Sequence, residues 1–316
     1  MSENRRASAA VAFGAGLIVA VQGRINGEVG DLTGNGVLGA LLNFTVGLLL
    51  LIVLVGARKV TRDALRALPP MVGPTRLPWW TLLGGMGGAI YVTGQSTTVA
   101  VLGVALFTVA TVAGSTGAGL LVDKVGLGPG GRVPVTAWRV VAALLAVVAV
   151  WVGSGGRGAE GAVSISFLLL ALAAGAAGAV QVGVNGRVST ATGQPLVATL
   201  VNFVVGLATL VGIVAMQALL DPTGVGSLQP VTEKPWLLVG GAMGVLFVAG
   251  AAWSVRALGV LLLSLIVLAG TLVGAVVVDL VLPTEGATVN GYLVVGIALT
   301  FASVGLAVMR RRGRQA

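Results

Sequence analysis

The chain contains neither cysteine nor histidine. Disulfides, thiolate nucleophiles, imidazole acid–base chemistry and the usual zinc sites are excluded by that alone. Charge is scarce as well: 9% of the 316 residues are charged, against about a quarter in soluble domains. Acidic residues are the rarest, ten in all, and none stands mid-way along an apolar run, where a buried carboxylate could exchange a proton for a cation. Glu28 comes nearest, at the end of the first run. A Walker-type loop is missing, which excludes transport driven by ATP on this chain. No cofactor or metal is expected, and no nucleophile–base constellation suggests an enzyme.

What is abundant is apolar. Hydrophobic residues make up 56% of the chain and the mean hydropathy is +1.03, so the solvent is a bilayer. An α-helix needs about 20 mostly apolar residues to cross the hydrocarbon. Ten such stretches occur, at 7–26, 36–56, 79–100, 103–122, 134–153, 164–184, 195–218, 236–255, 258–280 and 290–309. Barrel strands would alternate in polarity, whereas Val140 to Val152 is apolar almost throughout. An all-α, multi-pass protein of the cell membrane is expected. Arg5 and Arg6 ahead of an apolar run could also open a signal peptide. That run carries the first copy of a motif whose partner lies deep in the chain, so it is read as the first membrane helix.

The motif belongs to a duplication. Gln22-x-x-x-Asn26-Gly27 and Asn43-Phe44-x-x-Gly47 return as Gln181-x-x-x-Asn185-Gly186 and Asn202-Phe203-x-x-Gly206, every position 159 residues on. Pro78-Trp79 matches Pro235-Trp236, and Gly84, Met86 and Gly87 match Gly241, Met243 and Gly244, at 157. Leu102-Gly103, Gly114 and Asp123 match Leu258-Gly259, Gly270 and Asp279 at 156. The expected units are 1–157 and 158–316, five helices each. Five is odd, so the second unit enters from the opposite face and the repeats are inverted. The charges agree: with the N-terminus inside, 16 of the 19 Lys and Arg fall on the cytoplasmic side and only Arg24, Arg157 and Lys234 outside. This is the positive-inside signature. It puts both termini in the cytoplasm and assigns the net charge of +9 to topology and lipid head groups rather than nucleic acid. The polar stretches 57–78, 123–133, 154–163 and 219–235 read as connectors, and the chain must turn back at once near Ala100 to Gly103 and Ala257 to Gly259.

Inverted units offer two near-equivalent packings, the architecture of alternating access with a site near the midplane. Gln22 with Asn26, and Gln181 with Asn185, are spaced i, i+4 and share a helix face. They could contact a substrate, or tie helices together with Asn-Gly as a C-cap. Asn43 and Asn202 lie within apolar runs and are the foremost substrate-binding candidates. Gln95, followed by Ser96, Thr97 and Thr98, has no polar match near Ala252 and Trp253 and suggests shaping or gating in one half. Asp123 and Asp279 end the fourth helix of each unit, where a carboxylate opposes the helix dipole. They read as solvated end residues or as gates, as do the non-matching pair Glu28 and Arg187. The 50 glycines supply small faces for close helix packing, and the six tryptophans read as interfacial anchors rather than a cation cage.

These motifs, with Pro78-Trp79-x-x-x-x-Gly84-Gly85 and the Leu-Gly…Asp fourth helix, resemble the YdcZ-like family of bacterial inner-membrane proteins, which is grouped with the drug/metabolite transporter superfamily. The resemblance implies a ten-helix, exporter-like fold, here a fused pseudo-dimer of units otherwise found as single five-helix proteins, able to act as one chain. It implies no defined substrate. The small multidrug transporters of that superfamily use a central glutamate on helix one, which this chain lacks. The reading is a secondary transporter exporting a small polar or amphipathic metabolite. The competing reading is a non-catalytic scaffold or lipid-interacting subunit of a membrane complex. A wet midplane cavity lined by the paired amides would favour the first, and a dry, glycine-packed interface the second.

Overall fold

A computed structural model describes residues 3–73, 76–155, 165–283 and 289–309. Among these residues the elements are helical: α1 (Glu3–Thr33), α2 (Gly36–Ala57), α3 (Lys59–Met71), α4 (Gly84–Val125), α5 (Ala137–Gly153), α6 (Ile165–Thr192), α7 (Pro195–Leu220), the short α8 (Gln229–Glu233), α9 (Val239–Val281) and α10 (Gly291–Met309). The expected unit boundary at 157 and 158, together with Arg157, Arg310, Arg311, Arg312 and Arg314, lies outside the described residues, as do the side chains of Arg5, Ala252, Trp253 and Arg256.

Two of these helices are hairpins. Within α4, Gly103 has φ 75° and ψ 166°, a conformation that glycine alone adopts without strain. The first arm runs down α6, where Gly87 meets Ala177 and Gly94 meets Ala174, and the second returns along the same helix, where Gly114 meets Leu172 and Gly183 meets Val122. Helix α9 likewise sets Gly244 and Gly250 against Gln22 and Ala15, then brings Gly270 and Gly274 back past Phe13 and Leu17. The chain therefore reverses between Gly250 and Gly270, and α4 and α9 each contribute two passes. Among the described residues this gives ten apolar passes, as the hydropathy pattern requires. Large apolar side chains point outward, Val53 and Val182 among them at 67% and 72% exposure, as a hydrocarbon solvent permits.

The units are inverted and interlocked. Helix α2 crosses α7 antiparallel at the ring pair Phe44–Phe203, with centroids 4.8 Å apart. Val37 and Ala40 pack with Leu210 on one side of the crossing, and Leu51 and Val55 with Leu200 on the other. Helices α5 and α10 are also antiparallel: Ser303 Oγ donates to the Ala142 carbonyl at 2.7 Å, while Gly153 packs on Gly296 and Leu293. Between these self-paired helices each unit exchanges partners, α1 packing on α9 and α6 on α4.

Three local features depart from expectation. The Asn-Gly motifs do not end their helices: α1 runs on to Thr33 and α6 to Thr192. The left-handed residues are Gly34 (φ 66°) and Gly193 (φ 64°), which is where a C-cap glycine belongs. The amides of Asn26 and Asn185 are engaged across helices instead. Second, residues 57–78 are not a plain connector, because Lys59–Met71 forms α3. Its Ala64, Leu65 and Leu68 cover Leu77, Val188, Val197 and Ala198 while Asp63 and Arg66 face away. Apolar residues at i, i+1 and i+4 make a helical stripe too short to register as a span. Third, the opposing connector 219–235 contains α8, and ahead of it stands Asp221, whose carboxyl is held below its usual range by the Thr223 hydroxyl and the Thr223 and Gly224 amides.

Candidate functional site

The amides assemble into two clusters, one in each unit, on either side of the Phe44–Phe203 crossing. In the first, Asn43 Nδ2 donates to Asn26 Oδ1 at 2.9 Å, and Asn26 Nδ2 donates to Gln95 Oε1 at 2.7 Å. Gln22 Nε2 donates to the Gly240 carbonyl at 3.0 Å. In the second, Asn185 Nδ2 and Gln181 Nε2 both donate to Asn202 Oδ1, at 2.8 and 3.1 Å. Asn26, Asn43, Gln95 and Asn202 are buried. The sense of the Asn–Asn bond reverses between clusters for a simple reason. Gln95 takes the Asn26 amide protons, so Asn26 is left to accept from Asn43. Residue 251, one α4/α9 equivalent away, is alanine, and Asn185 is free to donate to Asn202.

Each cluster lies against glycines of the other unit's hairpin. An added Cβ at Gly240 would sit 3.0 Å from Asn26 Oδ1, and one at Gly244 3.1 Å from Gln22 Nε2. Gly84 and Gly88 bear the same relation to Asn185 and Gln181. Gly85 meets Asn202, Val205 and Gly206 as Gly241 meets Asn43, Val46 and Gly47. The structural register is therefore Gly84 with Gly240, Gly85 with Gly241 and Gly88 with Gly244, an offset of 156 rather than the 157 read from sequence. The reason lies just upstream, where the turn Trp79–Leu83 has five residues and its counterpart Pro235–Leu238 has four. The glycine doublets fit either register in sequence. Gln95 consequently corresponds to Ala251, not Ala252.

The space at the first cluster is small. A cavity of about 10 Å³ lined by Asn26, Asn43, Leu42, Leu237 and Gly241 holds roughly one water. Ser96 packs against Gly30 and Gly39, while Thr97 and Thr98 bond back to the Thr93 and Gly94 carbonyls at 2.8 and 2.7 Å. In this patch only Gln95 joins the amides.

The amide bonding yields a prediction. Asn202→Ala removes one oxygen that serves two donors, whereas Asn43→Ala leaves one acceptor on Asn26 without its partner. At roughly 1–3 kcal/mol for each buried group stranded, thermal unfolding in nanodiscs is expected to show the larger loss for Asn202→Ala. An equal or smaller loss would contradict the bonding described.

The expected gate residues are at the ends, and they do not behave alike. Asp279 is not a solvated end residue. It is 5% exposed, and its Oδ1 and Oδ2 accept from the amides of Val104 and Ala105, each at 2.8 Å. Those amides follow the break at Gly103 and have no helical acceptor, so a carboxylate from α9 caps the second arm of α4. Asp123, at the opposite end, forms an ion pair with Arg139 at the start of α5. Glu28 pairs with Lys234 at 3.0 Å, with Arg24 4.0 Å away. Arg187 donates through Nε to the Leu127 carbonyl at 2.8 Å and through a terminal nitrogen to that of Gly126. Its guanidinium lies over Trp80, 5.3 Å from the ring centre. Trp80 thus holds a cation, while Trp79, Trp138, Trp151 and Trp236 are exposed as anchors would be. Beside Arg187 a depression of about 290 Å³ opens to the surface.

Neither the glycine faces opposite the amides nor the partners Arg139, Lys234 and Trp80 were identified from sequence. The glycines were visible as a repeated feature, but nothing in one dimension pairs them with the other unit's amides.

Ten apolar passes in two inverted units, interlocked through α1–α9 and α4–α6, define an all-α membrane protein of the drug/metabolite transporter type. The chain belongs to the family described as "Putative inner membrane exporter, YdcZ", which it matches over residues 8–152 and again over 166–306. It is also similar to a solved structure described as "Crystal structure of protein", with a TM-score of 0.53, 18% identity and all of both chains covered; that likeness concerns the fold. No curated protein matches the chain.

Proposed function

We propose that the protein is a secondary transporter that exports a small polar or amphipathic solute by alternating access between its inverted units. One observation carries the reading: two units of the same fold are closed differently at their two ends. At the Gly103 end, Asp279 caps α4 and Glu28 pairs with Lys234. Ser227 N also donates to the Thr33 carbonyl, and Asn35 to that of Val225. At the Gly126 end, the 290 Å³ depression lies open beside Arg187. With the basic end in the cytoplasm, the end without a depression among the described residues faces out and the end that carries one faces in. This is the orientation from which an exporter takes up its load.

In this reading Asp279 and Glu28 latch one end, and Asp123 and Arg187 serve the other. The clusters Gln22–Asn26–Asn43–Gln95 and Gln181–Asn185–Asn202 meet the solute when α9 withdraws from α1 and α2, or α4 from α6 and α7. The fused chain supplies both units and acts without a second copy.

The dry, glycine-packed setting of the amides favours a second reading, a membrane scaffold. Flux in proteoliposomes across a metabolite panel, with and without a proton gradient, separates the two. Transport of at least one compound, reduced about tenfold or more in Asn43→Ala or Asn202→Ala, is the expected outcome. Unchanged flux in both variants would remove the amides from the pathway. No flux for any compound from folded protein would favour the scaffold.

A further inference from the structure

The repeats place opposite charges at one position, and their surroundings differ in the same sense. Glu28 and Arg187 are equivalent, 159 residues apart. At Glu28 the connector after α7 lies across the end of α1. Val231 and Leu237 are buried against Ile25 and Val29, and Lys234 neutralises the carboxylate. At Arg187 the described part of the corresponding connector brings Leu77 and α3 against Val188, the equivalent of Val29. Helix α3 also packs on Val197 and Ala198, and the depression remains.

Its lining includes Arg76, Leu77, Pro129, Gly131, Arg187 and Thr190, and among the described residues no carboxylate contributes to it. At about 290 Å³ it stands at the lower edge of the range for small-molecule sites, about 300 Å³ upward. Arg187 is already oriented by two backbone carbonyls and the face of Trp80. A guanidinium carries five N–H donors, so these two bonds leave three for a ligand. Holding the side chain in place beforehand lowers the entropy lost on binding. Arg76 adds a second, exposed guanidinium across the opening. Planar guanidinium forks match the oxygens of a carboxylate or phosphate, while Leu77 and Pro129 offer an apolar floor.

We propose that this depression binds an oxyanion, the carboxylate or phosphate group of a small solute or the phosphate of a lipid head group. That such a solute is the one carried across the membrane rests on the transport reading above; the binding itself does not.

The test uses the full chain in phosphatidylcholine nanodiscs, with the Trp80 signal obtained as the fluorescence difference between wild type and Trp80→Phe. Inorganic phosphate and succinate are titrated at constant ionic strength set with chloride. A saturable change is expected, at least tenfold weaker in Arg187→Gln and weakened in Arg76→Gln. Arg76 is exposed, so its variant keeps the fold, which an unaltered thermal midpoint checks. Repeating the titration with phosphatidylglycerol in the discs separates the sources. A signal already shifted and insensitive to added anion identifies the head group, and a persisting titration identifies the free solute. No saturable change in phosphatidylcholine discs together with an unshifted signal in phosphatidylglycerol discs, or equal affinity in wild type and Arg76→Gln, overturns the site. Binding without flux of the same anions in proteoliposomes would leave the site standing and remove the transport reading.

Discussion

Asp279→Ala is expected to unlatch the end of the molecule at which Gly103 lies. The positive φ of Gly103 interrupts the helical ladder inside α4, so the next amides lose the acceptors that a continuous helix would supply. Asp279 provides both replacements, at 2.8 Å each, from a position that is 5% exposed. A carboxylate at a helix N-terminus also complements the dipole. Alanine strands two buried donors at roughly 1–3 kcal/mol each. Allowing for water entering the opened end, about 3 kcal/mol is lost from the closed form, close to a hundredfold in the open population. Asp279→Asn keeps one acceptor oxygen and turns an amide toward the second N–H, so at least half of the effect should remain. The absence of cysteine makes the measurement clean. Leu102→Cys places a single thiol beside the latch, at a residue 1% exposed, and its reaction with a membrane-impermeant maleimide is timed with and without Asp279. Equal labelling rates would mean that the carboxylate is not holding this end closed.

Gly85→Ala and Gly241→Ala should each cost about 3 kcal/mol or more. A Cβ at Gly85 would lie 2.5 Å from Gly206 N and 2.9 Å from Val205 Cβ; one at Gly241 would lie 2.6 Å from the Asn43 carbonyl and 2.7 Å from Val46 Cβ. These are backbone atoms or Cβ atoms, which cannot rotate away, so the helices must separate. Overpacking alone costs roughly 1–3 kcal/mol, and separation also loosens the neighbouring amide cluster, whose bonds depend on that approach. Gly14 and Gly212 have nothing within 4 Å of an added Cβ. Alanine there should be neutral or stabilise by up to about 1 kcal/mol. Thermal unfolding in phosphatidylcholine nanodiscs compares the four. Variants at 85 and 241 that unfold within about 0.5 kcal/mol of the controls, a margin ordinary for inconsequential substitutions, would refute the close seams.

Local composition carried the architecture because a bilayer is an exacting solvent. Each apolar run of about 20 residues has to be a spanning helix, which made the passes legible one by one. An odd number per copy then forced the inversion. The exceptions are instructive. Asn26-Gly27 and Asn185-Gly186 look like helix ends, yet α1 and α6 continue because the asparagines bond to α2, α4 and α7 instead of to their own backbone. Helix α3 escaped notice because its apolar stripe is short and its charges match those of a loop. The one-residue slip at Gly84 arose from a turn one residue longer in the first unit, hidden by glycine doublets that align either way.

The sequence by itself determined the solvent, the ten passes, the duplication and its inversion, and the residue types available to a site, since these follow from hydropathy, parity and composition. Only the tertiary structure decided what those residues face. Asp279 could be read as a solvated helix end until α9 carried it to the broken ladder at Gly103. The amides share a helix face in sequence, and only the fold sets Gly84, Gly88, Gly240 and Gly244 of the other unit against them. Glu28 and Arg187 occupy one position in the two copies, yet one is paired with a lysine of the connector and the other borders a basic depression. Partners this far apart in the chain are set by packing, and no local pattern encodes them.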